Sequence, residues 1–491
     1  MDERTFIAFD LGAESGRTIL GSLKNRQLSI RELTRFPNEM ASLAGNLHWD
    51  IHRLFQQMKQ GLAACASMSA KPVSIGVDTW GVDFGLLGSD GSFLELPYSY
   101  RDHRTDGMME EYFKLISRER VYELTGIQFM QLNSLFQLLA AKRRDPILLE
   151  KATHLLFMPD IFNYFFTGLT RTEFTFATTS QLYNPRSGAW ERELFSALGV
   201  PTSIMQEIVP PGTILGRVTN EIAEEASLGE ISVVAVASHD TGSAIAVIPA
   251  EGDDWLYISS GTWSLMGIET KHPIISREAL ELNFTNEGGV EGTFRFLKNI
   301  TGLWLLQQCR KAWSQEQLYS YDELTKLIGQ AAPFRSLVDT DDPSFFNPAS
   351  MPDAIRQYCR ETGQPIPRSH AEFVRCILES LALKYRATLD QLRRLSPRPM
   401  SRIHVIGGGA QNNLLCQFTA NATGLPVIVG PIEATATGNI MVQALASGEV
   451  RSLADMRNIV RASFQLISLE PLEVEAWESA YLRYTKLTKT G

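Results

Sequence analysis

Asp10 and Asp240 are the two carboxylates placed where an apolar run stops and small residues begin. Asp10 closes the run at 6–9 and leads into a tip of Gly12, Ala13, Glu14, Ser15 and Gly16, after which Arg17 opens a second apolar run. Glycines at such a tip let backbone N–H groups approach a bound anion closely, which suits phosphate. A carboxylate at the strand end can hold hydrated Mg2+ beside the same phosphates, because Mg2+ prefers oxygen ligands and keeps several waters. The same stretch also serves as an ordinary exposed hairpin with a polar turn. Asp240 follows the apolar run at 231–237 and precedes a small-residue helix. It reads as an N-cap, accepting a backbone N–H of the first turn. The positive helix end also favours its ionised form, which can take a proton from an attacking hydroxyl. The two roles are compatible. Phosphoryl transfer needs mainly positioning and charge neutralisation, so a base, a metal-binding carboxylate and a phosphate cradle form a sufficient set.

The elements that must position these groups follow from periodicity and breakers. The hairpin at 6–20 continues through 28–36 into a small antiparallel sheet, and Leu54, Met58 and Leu62 mark one buried face of a helix at 50–66. The stretch 73–87 reads strand, turn, strand, with Asp78, Trp80 and Gly81 at the strand's carboxyl end, where α/β sheets gather ligands. Trp80 offers a sugar a flat apolar face or packs in the core. The polar loop 98–104 could bind a polyol or form a solvated salt-bridged surface, the reading favoured for His103. A second strand, Ser-Gly-Thr tip and strand occupy 256–267, echoing the first hairpin and suggesting a duplication. Asn299 is expected at a strand-to-helix junction and Gln307 on the helix that follows. The helix from Ala371 carries Phe373, Ile377, Leu381, Tyr385 and Leu389 at four-residue intervals and reads as scaffold. Gly407, Gly408 and Gly409 follow an apolar strand; bare backbone there admits a flat adenine or ribose, and equally makes a simple turn.

The whole chain narrows the possibilities. Its 491 residues favour two large domains, and 44 % hydrophobic with 21 % charged residues describe a soluble globular protein. A net charge of −9 argues against a nucleic acid or an anionic membrane as the main partner. No signal-peptide pattern and no run of about 20 apolar residues is found, so the cytoplasm is expected. The five cysteines form no C-x-x-C pair, and only Cys359 and Cys376 merit a check for a bond, which a reducing compartment disfavours. Neither a Walker A lysine motif nor a protein-kinase catalytic loop occurs.

In order and spacing, DLGAESGR (10–17), DTWGVDF (78–84), GIQF (126–129), SHDT (238–241), SSGTWSLMG (259–267), TNEGG (285–289), LKNI (297–300), GLWLLQ (302–307) and GGGAQN (407–412) carry a resemblance. The chain resembles the FGGY family of carbohydrate kinases nearly end to end. The resemblance implies an α/β architecture of the actin-like ATPase (ribonuclease H-like) fold, with two domains at 1–248 and 249–491 around a deep catalytic cleft. Closure of that cleft would exclude water, so that the sugar rather than water attacks the γ-phosphate. It implies ATP-dependent phosphorylation of L-rhamnulose at its 1-hydroxyl, giving L-rhamnulose 1-phosphate for an aldolase, with Mg2+ and no nucleic-acid or membrane partner, as monomer or homodimer. Carried over residue by residue, Asp240 is the general base; Gly81, His239, Asp240, Thr241 and Asn299 contact the sugar. Ala13, Glu14, Ser15, Gly16 and Arg17 line the ATP phosphates, and Thr262, Gln307 and Gly408 contact ATP. Asp10 is assigned to Mg2+ from the logic of the fold. Glu14 departs from the pattern, standing where a small hydroxyl residue is usual. A kinase for another ketose, such as L-fuculose or xylulose, and a non-catalytic sugar or nucleotide sensor are the rival readings.

Overall fold

The computed structural model describes residues 3–396 and 398–488. The chain divides into two compact units. One holds the residues up to Pro249 with Glu269–Phe296 and Ala434–Ser463; the other holds Ala250–Ile268, Leu297–Glu433 and the residues from Phe464.

In the first unit, strands β1 (Arg4–Leu11), β2 (Ser15–Lys24) and β3 (Gln27–Pro37) run antiparallel in sequence order. They belong to a larger mixed sheet than the hairpin pattern suggested. β1 pairs in parallel with Pro72–Thr79, which pairs in parallel with Ser232–Ala235, and Thr213–Arg217 closes the other edge. Phe6, Ile7, Ala8 and Phe9 are fully buried, as a strand covered on both faces requires. Helix Ile51–Ser67 buries Leu54, Met58 and Leu62 as its four-residue period dictates, and Asp50 caps it by accepting the Arg53 N–H. Helices Asp240–Ala246 and Ala434–Ala446 approach so closely that a Cβ on Gly438 would lie 1.8 Å from the Ser243 carbonyl oxygen.

Two local expectations change. Phe84–Leu87 does not fold back on the strand before it; it pairs antiparallel with His154–Phe157 in a separate two-stranded sheet. Residues 98–100 are buried rather than solvated, with Tyr100 tied to Asp83. Its carboxylate accepts Trp49 Nε1–H at 2.6 Å, Trp80 Nε1–H at 3.0 Å, Tyr100 N–H at 3.1 Å and Gln137 Nε2–H at 2.8 Å. His103 does sit in solvent, paired with Asp106.

In the second unit, Trp255–Ser260 and Trp263–Thr270 form the second antiparallel hairpin. Its first strand pairs in parallel with Arg402–Ile406, that strand with Val427–Val429, and Ile467–Leu469 adds an antiparallel strand at the edge. In both units the hairpin's first strand thus takes a parallel partner from later in the chain, which is the duplication expected of the two tips. Helix His370–Leu395 buries Phe373, Ile377, Leu381, Tyr385 and Leu389 to 1 % exposure or less. All five cysteines are free and buried. Among the described residues no helix is long and apolar enough to cross a membrane.

Candidate active site

In the first unit, Arg17, Asp10 and Asp78 lie in one row across β2, β1 and Pro72–Thr79, because Asp10 is in register with both others. In-register neighbours on adjacent strands share a face of the sheet. The Arg17 guanidinium is ion-paired with the Asp10 carboxylate, which is 6 % exposed. Asp78 is fully buried; its Oδ2 accepts Asn439 Nδ2–H at 2.5 Å, while Oδ1 has no hydrogen-bond partner. Asn439 is oriented in turn by Gln443, whose Nε2–H donates to Asn439 Oδ1 at 2.7 Å and to the Ile7 carbonyl at 2.9 Å, and whose Oε1 accepts the Ser74 hydroxyl. Burial, with the Asp10 charge next, pushes the Asp78 carboxyl well above the ordinary range, and the Asp240 charge adds to it.

Asp240 follows the neighbouring strand, Ser232–Ala235, at the start of a helix. Thr79 N–H donates to the Ser238 carbonyl at 2.9 Å, tying the strand-to-helix junction to the sheet. From the other side Glu173 accepts Ser238 N–H at 3.0 Å and Thr175 Oγ1 accepts His239 N–H at 3.2 Å. The N-cap expectation shifts by one residue: His239 occupies the cap, and Asp240 is the first helical residue, its Oδ1 accepting Thr241 N–H at 2.6 Å. The Asp240 side chain keeps 28 % of its exposure. Burial raises its pKa, opposed by His239 and reinforced by Asp10. A partly exposed carboxylate at a helix start is suited to accept a proton from a bound hydroxyl.

His239, Thr241 and Gly81 converge on Asp240. His239 Nε2 lies 3.4 Å from Asp240 Oδ1, and Thr241 Oγ1 lies 3.1 Å from His239 Nδ1. A Cβ on Gly81 would stand 3.3 Å from His239 Nε2, so glycine leaves that ring edge clear. Trp80 takes the packing role: it is 5 % exposed, bonded to Asp83 and stacked at a tilt on Trp49, with 4.2 Å between centroids.

At the first tip, Gly12 N–H donates to Ser15 O at 2.9 Å, and Asn38 braces the turn through the carbonyls of Gly12 and Glu14. Ala13, Ser15 and Arg17 are half-buried and Glu14 points to solvent. Gly16 has a packing reason as well. It is buried, and a Cβ there would overlap the Phe36 ring at 2.3 Å, so packing requires the glycine.

The second unit holds the remaining candidates. Gln307 Nε2–H donates to Thr262 Oγ1 at 3.2 Å, and Gln307 Oε1 is shielded without a hydrogen-bond partner. The start of helix Trp304–Trp313 grips the second tip: Leu303 N–H bonds Gly261 O at 2.9 Å, and Gly302 N–H bonds Thr262 O at 3.1 Å. Within the triple glycine, Cβ atoms on Gly407 and Gly409 would press on Ser260 at 2.8 Å and 2.1 Å, whereas one on Gly408 would meet nothing within 4 Å. Gly408 therefore faces open space. Asn299 lies inside strand Phe294–Thr301, two residues before its end rather than at the helix junction, and is half-buried.

Sequence reasoning gave no role to Asn439, Gln443, Glu173, Glu287 or Arg295. A string of small residues hides the first two, and the others meet the site only through long-range contacts.

Family models for the FGGY family of carbohydrate kinases match residues 5–246 with the N-terminal domain and 256–447 with the C-terminal domain. The chain is 50 % identical to the rhamnulokinase of Bacteroides thetaiotaomicron over 482 residues, covering 98 % of this chain and 99 % of that protein. It is 41 % identical to the rhamnulokinase of Oceanobacillus iheyensis, covering 96 % and 99 %. Among solved structures, gluconate kinase from Lactobacillus acidophilus superposes with a TM-score of 0.82 at 15 % identity, covering 100 % and 98 % of the two chains. Glycerol kinase from Plasmodium falciparum with ADP superposes at 0.80 and 14 % identity, covering 99 % and 98 %. These likenesses show the actin-like ATPase fold. Matched along nearly its whole length, the chain belongs to the FGGY family of carbohydrate kinases.

Proposed function

We propose that this carbohydrate kinase transfers the γ-phosphate of ATP to the 1-hydroxyl of L-rhamnulose, yielding L-rhamnulose 1-phosphate and ADP in the cytoplasm. The observation that carries the reading is the Asp240 carboxylate, partly exposed at a helix start and flanked by His239, Thr241 and Gly81. Identity to rhamnulokinases over almost the full chain supports the choice of sugar.

In this reading Asp240 accepts the 1-hydroxyl proton as that oxygen attacks phosphorus. Gly81, His239, Thr241 and Asn299 contact the other sugar oxygens. The tip from Ala13 to Ser15, with Gly16 and Arg17, lines the ATP phosphates; Glu14 takes part through its backbone, its side chain being exposed. Thr262, Gln307 and Gly408 contact ATP, and the open space at Gly408 suits a ligand at close range. Asp10 is the residue that would hold Mg2+. A nearly buried carboxylate beside Asp78, whose Oδ1 has no partner, fits a cation that prefers oxygen ligands. Bound there, Mg2+ would neutralise charge on the phosphates.

The test is ADP release on addition of L-rhamnulose, L-fuculose or xylulose. The highest kcat/KM is expected with L-rhamnulose. A faster rate with another ketose would reassign the substrate, and no sugar-stimulated release at all would point to a sensor.

A further inference from the structure

Glu287 of the TNEGG stretch and Arg295 of strand Phe294–Thr301 form a buried ion pair behind His239 and Thr241. Arg295 is 1 % exposed at its side chain and Glu287 is 6 % exposed, and they meet at 3.1 Å between Arg295 Nη2 and Glu287 Oε2. Three further contacts fix the guanidinium. Nε–H donates to the Gly288 carbonyl at 2.8 Å, Nη1–H donates to Thr241 Oγ1 at 2.8 Å, and Nη2 lies 3.3 Å from His239 Nδ1. Glu287 Oε2 is itself 3.2 Å from His239 Nδ1. Beyond Gly288, the pair reaches the residues on either side of Asp240.

We infer that Glu287 and Arg295 are positioning residues for ketose recognition, holding the His239 ring and the Thr241 hydroxyl in the orientation that serves Asp240. The inference rests on the proposed reading of His239 and Thr241 as sugar contacts. An imidazole turns about its terminal torsion in a broad, roughly two-fold potential, so it needs an external constraint to keep one edge forward. Here Nδ1 is held from behind by one member of the pair, donating to Glu287 or accepting from Arg295 according to its tautomer, which leaves Nε2 facing Asp240 Oδ1 and the bare Cα of Gly81. Arg295 can only donate, so its bond to Thr241 occupies a lone pair of that oxygen and leaves the hydroxyl proton for another acceptor. A buried ion pair is a poor way to gain stability, since apolar residues of similar volume often do as well. A wide, rigid fork that reaches two sugar contacts at once is better accounted for by geometry than by stability.

Glu287→Gln keeps the size of the side chain and leaves the Arg295 bonds to Gly288 and Thr241 in place, so it is the primary variant; Arg295→Met is the second. Glu287→Gln is expected to lower kcat/KM for L-rhamnulose at least tenfold while the KM for ATP stays within about twofold, with the thermal midpoint recorded alongside. The deciding measurement repeats the substitution in a His239→Ala background. If the pair acts through His239, Glu287→Gln then changes kcat/KM by less than twofold. Losses that multiply in the double variant, or a KM for ATP that rises with the KM for the ketose, would overturn the inference. Arg295→Met, if it folds, should raise the KM for the ketose more than Glu287→Gln does, because it frees Thr241 as well; an equal or smaller rise would also contradict it. A wild-type chain that phosphorylates no ketose would overturn the functional reading first, a distinct result from an active enzyme in which the variants are additive.

Discussion

Replacing Asp83 by Asn tests how the segment carrying Trp80 and Gly81 is held. Burial lifts the Asp83 carboxyl from 3.8 to about 6, against the pull of its four donors from Gln137, Trp49, Trp80 and Tyr100. A shift of that size places about 3 kcal/mol on the ionised form in the folded state. The sign follows from linkage. The folded-state pKa lies above the unfolded value, so the wild type is most stable when Asp83 is protonated, below 3.8, and loses stability as pH rises through about 6. Integrating between those two values, about 1.4 kcal/mol of the loss falls between pH 5 and pH 8. Asn does not titrate. It keeps one oxygen for the donors from Trp49, Trp80 and Tyr100 and turns an amide N–H2 toward Gln137 Nε2. Gln137 cannot flip to welcome it, because its Oε1 accepts from Arg104 at 2.8 Å and its Nε2 donates to Leu132 O at 2.9 Å. That donor clash costs about 1–3 kcal/mol at every pH. The variant should therefore gain on the wild type by about 1.4 kcal/mol between pH 5 and pH 8, whatever the constant offset. Urea unfolding followed by tryptophan fluorescence reads this out, since Trp49 and Trp80 both bond the carboxylate. A wild-type-to-variant difference that is flat in pH, or that widens against the variant as pH rises, would refute the reasoning.

Gly408→Ala should leave the thermal midpoint unchanged and raise the KM for ATP, because the new methyl meets only open space. Gly409→Ala should instead destabilise the fold, its Cβ falling 2.1 Å from Ser260 Oγ; thermal unfolding of the two variants side by side checks both. Thr262→Val removes the acceptor for Gln307 Nε2–H and should raise the KM for ATP more than the KM for the sugar, as initial rates at varied ATP and varied sugar will show.

What the sequence disclosed was local. The strand, tip and strand patterns at 6–20 and 256–267, the helix from Ala371 and the acid at each strand end were legible, because short-range periodicity and small-residue breakers encode them. Long-range pairing was not. Nothing near Phe84 announces that its strand partners His154–Phe157, and nothing near 98–104 announces that Tyr100 bonds the carboxylate of Asp83. Asp240 fell one residue inside the helix because a single N–H–accepting side chain reads alike at the cap and at the first helical position. Asn439 and Gln443 orient Asp78 from a helix whose small, mostly apolar residues give no polar stripe to notice. Glu287 belonged to a recognisable motif and Arg295 lay between two, yet their roles depend on His239 and Thr241, which only tertiary structure brings beside them.

Catalysis in the proposed reaction depends most directly on Asp240. Asp240→Asn keeps an oxygen for the Thr241 N–H and removes the negative charge and with it the capacity to take a proton. Calorimetry on that variant should find L-rhamnulose and ATP bound about as tightly as by the wild type, while turnover falls by a factor of about 100 to 10,000, the range a positioned base supplies. Turnover close to the wild-type rate would contradict the assignment of Asp240 as the base and the mechanism built on it.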